Sequence, residues 1–283
     1  MQRGNTFTFA FAFLICVVCS VSLAVAATYL KPAQDVAQRL DVIKNILSVA
    51  GYPDEEIAAQ MRRNPRELIA TFEQNFHARI VDQNNREVPL DEIKSELVTR
   101  LGYNREELDQ KQAFEIIQIF QEKLSLLAAS AGQTEEQYDP GYNLLFLYQP
   151  EGQLKYYIVP VEGYGLWDMI YGYIALEPDL NTVADIRFYK HQETPGLGGE
   201  CSKPWFTNNF RGKKILNDQG EFVSIAVVKG KAAELHEGES LNHYVDGISG
   251  GTITGQGITR FLREDLGRYN EYFQTIRTAE API

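Results

Sequence analysis

Cysteine and histidine are scarce: three Cys and four His among 283 residues. Cys16 and Cys19 lie inside an uncharged N-terminal run and Cys201 stands alone, so no disulfide framework holds this chain together. A Cys-x-x-Cys within an apolar helix lacks the electropositive setting that activates thiols. Both cysteines are expected to face lipid or pack. His77, His191, His236 and His243 are scattered without metal-ligand spacing, which argues against a protein-ligated metal. Cationic runs are missing as well. Lys and Arg total 27 against 38 Asp and Glu, a formal net charge of −11, and no basic helix stands out, so nucleic acid is not an expected partner. Neither Gly-x-Gly-x-x-Gly nor a Gly-Lys-Ser/Thr loop occurs, which excludes the usual dinucleotide and P-loop phosphate sites.

What is present begins with a charge-free stretch from Phe7 to Ala27. As a helix it reaches the ~20 residues that cross a bilayer core. Ala24-Val-Ala26 resembles a signal-peptidase site, but the apolar run exceeds the ~7–15 residues of a signal core, so a retained anchor is expected. Arg3 precedes the span and Lys31, Arg39 and Lys44 follow it. Counted alone, those charges put the body of the protein in the cytoplasm.

Aromatics make up 11% of the chain and argue for a packed fold. Val36, Leu40, Ile43 and Leu47 form a helical stripe that Gly51 is placed to end. Asp54–Arg63, Pro65–Phe76, Asp91–Leu101 and Asn104–Ala129 read as helices, and Ala78–Asp82 as a short strand. A polar link, Ala131–Pro140, precedes a change of character. Asn143–Tyr148, Leu154–Val161, Trp167–Leu176, Val183–Lys190, Lys214–Leu216 and Phe222–Val228 read as strands. From about Thr254 the chain is helical, with Ile258, Phe261, Leu262, Leu266 and Tyr269 on its buried face. The expected fold class is α+β: a single transmembrane helix (7–27), a helix-rich stalk or accessory region (31–140), and a domain (141–283) with a largely antiparallel sheet and a C-terminal helix.

Three glycine-rich turns stand out. Asp246-Gly-Ile-Ser249-Gly250-Gly251-Thr252-Ile-Thr254-Gly leads into the last helix. Free amides and the helix dipole favour a phosphate there, and a Thr hydroxyl lies close to that seat. His191-Gln-Glu193-Thr194-Pro-Gly-Leu197-Gly198-Gly follows a strand and lets backbone approach a flat ligand. Gly163-Tyr-Gly165-Leu166-Trp167 offers a second such turn beside a large apolar plane. Read singly, these are β-turns, a helix cap and a core Trp. Together they suit a cofactor with an aromatic ring system and a phosphate tail.

HQETPGLGGE, GYGLWDMIYGYIALEPDLNTV and VDGISGGTITGQGI, in this order behind one membrane helix, resemble the FMN-binding C subunit (NqrC) of the Na+-translocating NADH:quinone reductase. KNILSVAGY, ARIVD and VVKGKA extend the likeness, and 84–138 looks expanded relative to that family. The resemblance implies FMN esterified through its phosphate to Thr252. Asp246, Ser249 and Gly250 match the attachment motif Asp-x-x-Ser/Thr-Gly-Ala-Thr/Ser, and Gly251 replaces its Ala. Further cofactor contacts are expected from Glu193, Thr194, Leu197 and Gly198 on one wall and from Gly165, Leu166 and Trp167 on the other. Thr254 belongs to the same turn, and Lys229 is expected to neutralise phosphate charge. The resemblance also implies an electron-carrying role without substrate chemistry of its own. The partners would be subunits of the A, B, D, E and F types and a flavin transferase. The protein would sit in a bacterial inner membrane with the FMN domain on the periplasmic side, against the charge count. The G-type protein of the related Rnf ferredoxin:NAD complex, and a non-redox scaffold or sensor, are the alternatives.

Overall fold

The computed structural model describes residues 5–280. The chain divides into two compact units, Met1–Ile43 and Lys44–Ile283.

Helix α1 runs Asn5–Val49 and, among the described residues, is the one helix long and apolar enough to cross a membrane. In its N-terminal part the apolar side chains are exposed, Phe9 and Leu23 among them, while Leu40, Ile43 and Leu47 near its C-terminal end are buried. Its hydroxyls are satisfied internally: Ser22 Oγ donates to Val18 O and Thr28 Oγ1 to Ala24 O. That is the arrangement an apolar medium demands. Cys16 and Cys19 are exposed on the same helix. The helix runs on unbroken through Pro32. Proline removes one backbone donor, but the turn that loses it is exposed, so its freed carbonyl is accessible to another donor. Gly51 ends α1 as expected, with φ +98° and Tyr52 N–H donating to Leu47 O at 3.1 Å.

The second unit continues through α2 (Asp54–Arg63), α3 (Pro65–Asn75) and strand β1 (Phe76–Val81). Helices α4 (Leu90–Leu101), α5 (Arg105–Asp109), α6 (Ala113–Glu122), α7 (Leu124–Ala131) and α8 (Glu135–Tyr138) follow. The single helix expected over Asn104–Ala129 is thus three. The backbone turns at Gln110–Gln112, where Gln112 N–H bonds the Glu115 carboxylate at 2.8 Å and starts α6 afresh. It turns again at Lys123 (φ −107°, ψ 7°). Short α8 occupies the polar link.

Strands β2 (Asn143–Tyr148), β3 (Tyr156–Tyr164), β4 (Met169–Leu176) and β5 (Val183–Lys190) join β1 in one antiparallel sheet in chain order. The β3–β4 register runs to Tyr164↔Met169, so Gly165–Asp168 is a tight turn closed by Gly165 N–H to Asp168 O at 3.0 Å. After β5 come the short helix α9 (Pro204–Thr207), β6 (Ala226–Val227), α10 (Ala232–Leu235) and β7 (Tyr244–Val245). The strands expected at Lys214–Leu216 and Phe222–Val228 shrink to isolated bridges and to β6, which pairs in parallel with β7.

The last helix, α11 (Thr252–Glu280), begins two residues earlier than its apolar pattern suggests. Its stripe of Ile258, Phe261, Leu262, Leu266, Tyr269 and Phe273 is buried against Val159, Val161, Ile170, Ile174 and Phe188 of the sheet. Each such side chain contributes on the order of 2 kcal/mol. Glycines set the spacing between helix and sheet. A Cβ on Gly163 would overlap the Phe261 side chain, and one on Gly257 would overlap the Tyr164 carbonyl. The start of α11 is therefore pressed against the β3–β4 turn.

Asp265, on the same helix, accepts from Glu162 N at 2.7 Å and pairs with Arg268 at 3.2 Å. Burial nonetheless pushes its carboxyl up to about 6. The folded state holds this proton more tightly than the unfolded chain. The resulting stability is present below about pH 4 and is lost as pH rises through about 6, roughly 3 kcal/mol in all. A side-chain amide at this position keeps an oxygen for Glu162 N–H and does not ionise. Urea titrations of the full chain in detergent are expected to show Asp265→Asn losing less stability than the wild type between pH 4.5 and pH 7.5 (about 1.5 pH units either side of the shifted value).

Candidate functional site

Three segments converge on the N-terminal end of α11, and one side chain joins them. Glu193, 4% exposed, lies in the loop after β5. Its Oε1 accepts from the amides of Leu166 and Trp167, both at 2.9 Å, and its Oε2 accepts from Thr254 Oγ1 at 2.5 Å. The β3–β4 turn and the first turn of α11 are thereby held to the same carboxylate. Two glycines make room for it. A Cβ on Gly165 would sit 2.6 Å from Glu193 Oε1, and one on Gly198 would sit 2.6 Å from Oε2 while overlapping Thr254 Oγ1.

The loop bearing Glu193 is fixed by its own bonds. Thr194 O accepts from Leu197 N and Gly199 N, and Gln192 Nε2 donates to Asp168 Oδ2 at 2.6 Å. Thr194 and Leu197 stay exposed, while Gly198 is buried. On the facing turn, Leu166 is 45% and Trp167 68% exposed. Tyr164, Ile253 and Trp205 are also exposed apolar side chains on the elements around the site. The result is an open apolar shelf. Cavities of about 530 Å³ beside Tyr52 and Tyr148 and about 760 Å³ along β1 contain none of these residues.

The third segment brings Thr252 to the shelf. Gly250 has φ +70°, and a Cβ there would press into Leu197 Cδ2 at 2.5 Å. Gly251 N bonds Ile248 O, and the first helical bond runs from Gly255 N to Gly251 O. The amides of Thr252, Ile253 and Thr254 therefore have no partner within the helix, the arrangement that favours an anion. Thr252 is exposed and Thr254 is 1% exposed. Gly251, where the resemblance has Ala, also has a local reason: a methyl there would meet Ile248 Cγ2 at 2.9 Å and Gly198 Cα at 3.3 Å.

Asp246 is occupied structurally. It accepts from Lys231 Nζ at 2.7 Å and from Ala232 N at 2.8 Å. Burial pulls its carboxyl up, but those two donors outweigh burial and leave it below the ordinary carboxylate value. Ser249 is exposed on the turn. Lys229 is exposed and makes no ion pair among the described residues. It lies on the strip that Gly247 N–H joins to Gly230 O at 2.8 Å. Cys201 is buried near the site, and burial pushes its thiol up to about 12, so it is no nucleophile at neutral pH.

Sequence reasoning points to Glu193 and Thr254 separately but not to the bond between them, 61 residues apart in the chain. It misses Tyr164, Ile253 and Trp205. Ile253 has a signal, an apolar residue between two threonines at a helix start.

An exposed hydroxyl at the start of a 29-residue helix, beside an apolar shelf cleared by glycines, fits a phosphate-tailed aromatic cofactor. In agreement, residues 165–266 match the FMN-binding domain family. Over its whole length the chain is 32% identical to the C subunit of the Na+-translocating NADH-quinone reductase of Pseudomonas aeruginosa, covering 99% of both. It is 32% identical to that of Yersinia pestis over 90% of this chain and 85% of the relative. The crystal structure of the corresponding protein from Parabacteroides distasonis superposes with a TM-score of 0.58 at 27% identity, covering 86% of this chain and 96% of that one. The chain belongs to the C-subunit family of the Na+-translocating NADH-quinone reductases. Matches spanning both the anchor and the FMN-binding domain decide against the Rnf and scaffold alternatives.

Proposed function

We propose that this chain carries FMN esterified to Thr252 Oγ and relays electrons between subunits of a membrane-bound Na+-translocating NADH-quinone reductase. The observation that carries the attachment site is the contrast between two threonines. Thr252 offers a free, exposed hydroxyl beside unpartnered helix amides, while Thr254 is buried and donates to Glu193. Bound flavin supplies one- and two-electron transfer. The protein's own residues do the rest. The α11 amides and dipole hold negative charge, and Lys229 is free to approach it. Leu166, Trp167 and Leu197 provide apolar contact, and Gly165 and Gly198 keep backbone close. Glu193 fixes these parts relative to one another.

Helix α1 anchors the chain in the membrane, and the FMN domain is assigned to the periplasmic side of a bacterial inner membrane. A covalent tether suits that side, because cofactor lost there would be diluted away. The partners in this reading are the complex's A, B, D, E and F type subunits and a flavin transferase. The domain limits of 7–27, 31–140 and 141–283 carry over as working boundaries. Full-length protein made beside a flavin transferase is expected to keep flavin fluorescence after denaturation and washing. Colourless protein from that preparation would overturn the carrier reading.

A further inference from the structure

We infer that Glu193, besides fixing the site's shape, holds down the reduction potential of the flavin carried at Thr252 through its buried negative charge. The inference rests on the carrier reading. Among the described residues, no Lys, Arg or His side chain forms an ion pair with Glu193. Arg260, which approaches the same turn, bonds the Tyr164 carbonyl instead. The carboxylate is held by three neutral donors alone: two amides and one hydroxyl.

A buried charge without a countercharge is costly, and a neutral amide of the same shape could accept both backbone bonds. The fold nevertheless clears space on both sides of the carboxylate, with Gly165 against one oxygen and Gly198 against the other. The charge also lies where it acts on the cofactor seat. One oxygen bonds the residue two positions after Thr252, and the other bonds the backbone beneath Trp167. Glu193 is buried, and a charge acting through protein is screened less than one acting through solvent. Full reduction adds two electrons to the flavin, and protons taken from solvent offset that charge only in part. A fixed negative group nearby opposes the added electrons and lowers the potential.

The test is a dithionite titration at pH 8 of full-length, flavinylated protein in detergent, read from the flavin absorbance, with intact mass confirming the flavin. Glu193→Gln keeps the shape and removes the charge. The expected result is unchanged flavin content with a midpoint potential above that of the wild type. An unchanged or lower potential would leave Glu193 a purely structural tie. Should Glu193→Gln fail to fold, Thr254→Val keeps the charge and removes one of its donors. Its potential is then expected below the wild type's, and an equal or higher value contradicts the inference. Wild type without flavin by mass overturns the carrier reading itself, an outcome distinct from flavinylated variants with unaltered potentials.

Discussion

Thr252→Ala protein, made beside the flavin transferase, is expected to emerge without covalent flavin. Thr252 is the exposed first residue of α11, and its side chain makes no hydrogen bond among the described residues. Removing its hydroxyl therefore leaves the fold within about 0.5 kcal/mol of the wild type. Attachment has no ready substitute. Thr254 is buried with its hydroxyl committed to Glu193, and Ser249 sits on the turn that precedes α11, outside the helix's own first turn. Thr252→Ser keeps the hydroxyl and is expected to be flavinylated. The measurement is flavin fluorescence of denatured, washed protein, read beside a thermal melt. Retained fluorescence in a folded Thr252→Ala protein would move the attachment elsewhere.

A large loss of stability is expected from Gly198→Ala. The added methyl would overlap Thr254 Oγ1, sit 2.6 Å from Glu193 Oε2 and lie 3.2 Å from Thr254 Cβ. Neither neighbour yields readily. Glu193 is pinned by two backbone amides, and Thr254 belongs to a helix pressed on the sheet at Gly257. Relief requires breaking the Thr254–Glu193 bond or lifting the loop. Overpacking together with a lost buried bond costs about 2–4 kcal/mol, or about 5–15 °C in Tm for a domain of this size. Gly196→Ala serves as the contrast. It has φ +77° with open space around it, so it carries only backbone strain of roughly 1 kcal/mol. Urea denaturation of the full chain in detergent compares them, and equal losses at the two positions would contradict the packing described here.

Features set by local pattern could be read from the sequence. The absence of charge from Phe7 to Ala27 marked α1, Gly51 marked its end, and short apolar runs bounded by turn residues marked β2 to β5, with apolar and charged residues alternating at Asp185–Phe188. The stripe through Ile258 and Leu262 marked α11, though not its first turn, because Thr252 and Ile253 are exposed and outside the stripe. The breaks inside Asn104–Ala129 were hidden because apolar spacing continues across them, while the Gln112–Glu115 cap that separates the helices is polar. The pairing of Ala226–Val227 with Tyr244–Val245 was hidden for another reason: two-residue strands carry no period. At the site, the glycines were legible as close-approach residues, but what approached them was not. Gly165 and Gly198 both clear the Glu193 carboxylate, and Gly251 clears Ile248. Such contacts depend on segments brought together only by the finished sheet and helix.

The most direct test of the central claim is peptide mapping by mass spectrometry of native full-length protein made with its flavin transferase. One FMN per chain is expected, on the peptide that carries Gly250 to Thr254, with fragment ions placing it on Thr252. FMN on Ser249 or Thr254, or a chain of unmodified mass, would contradict it.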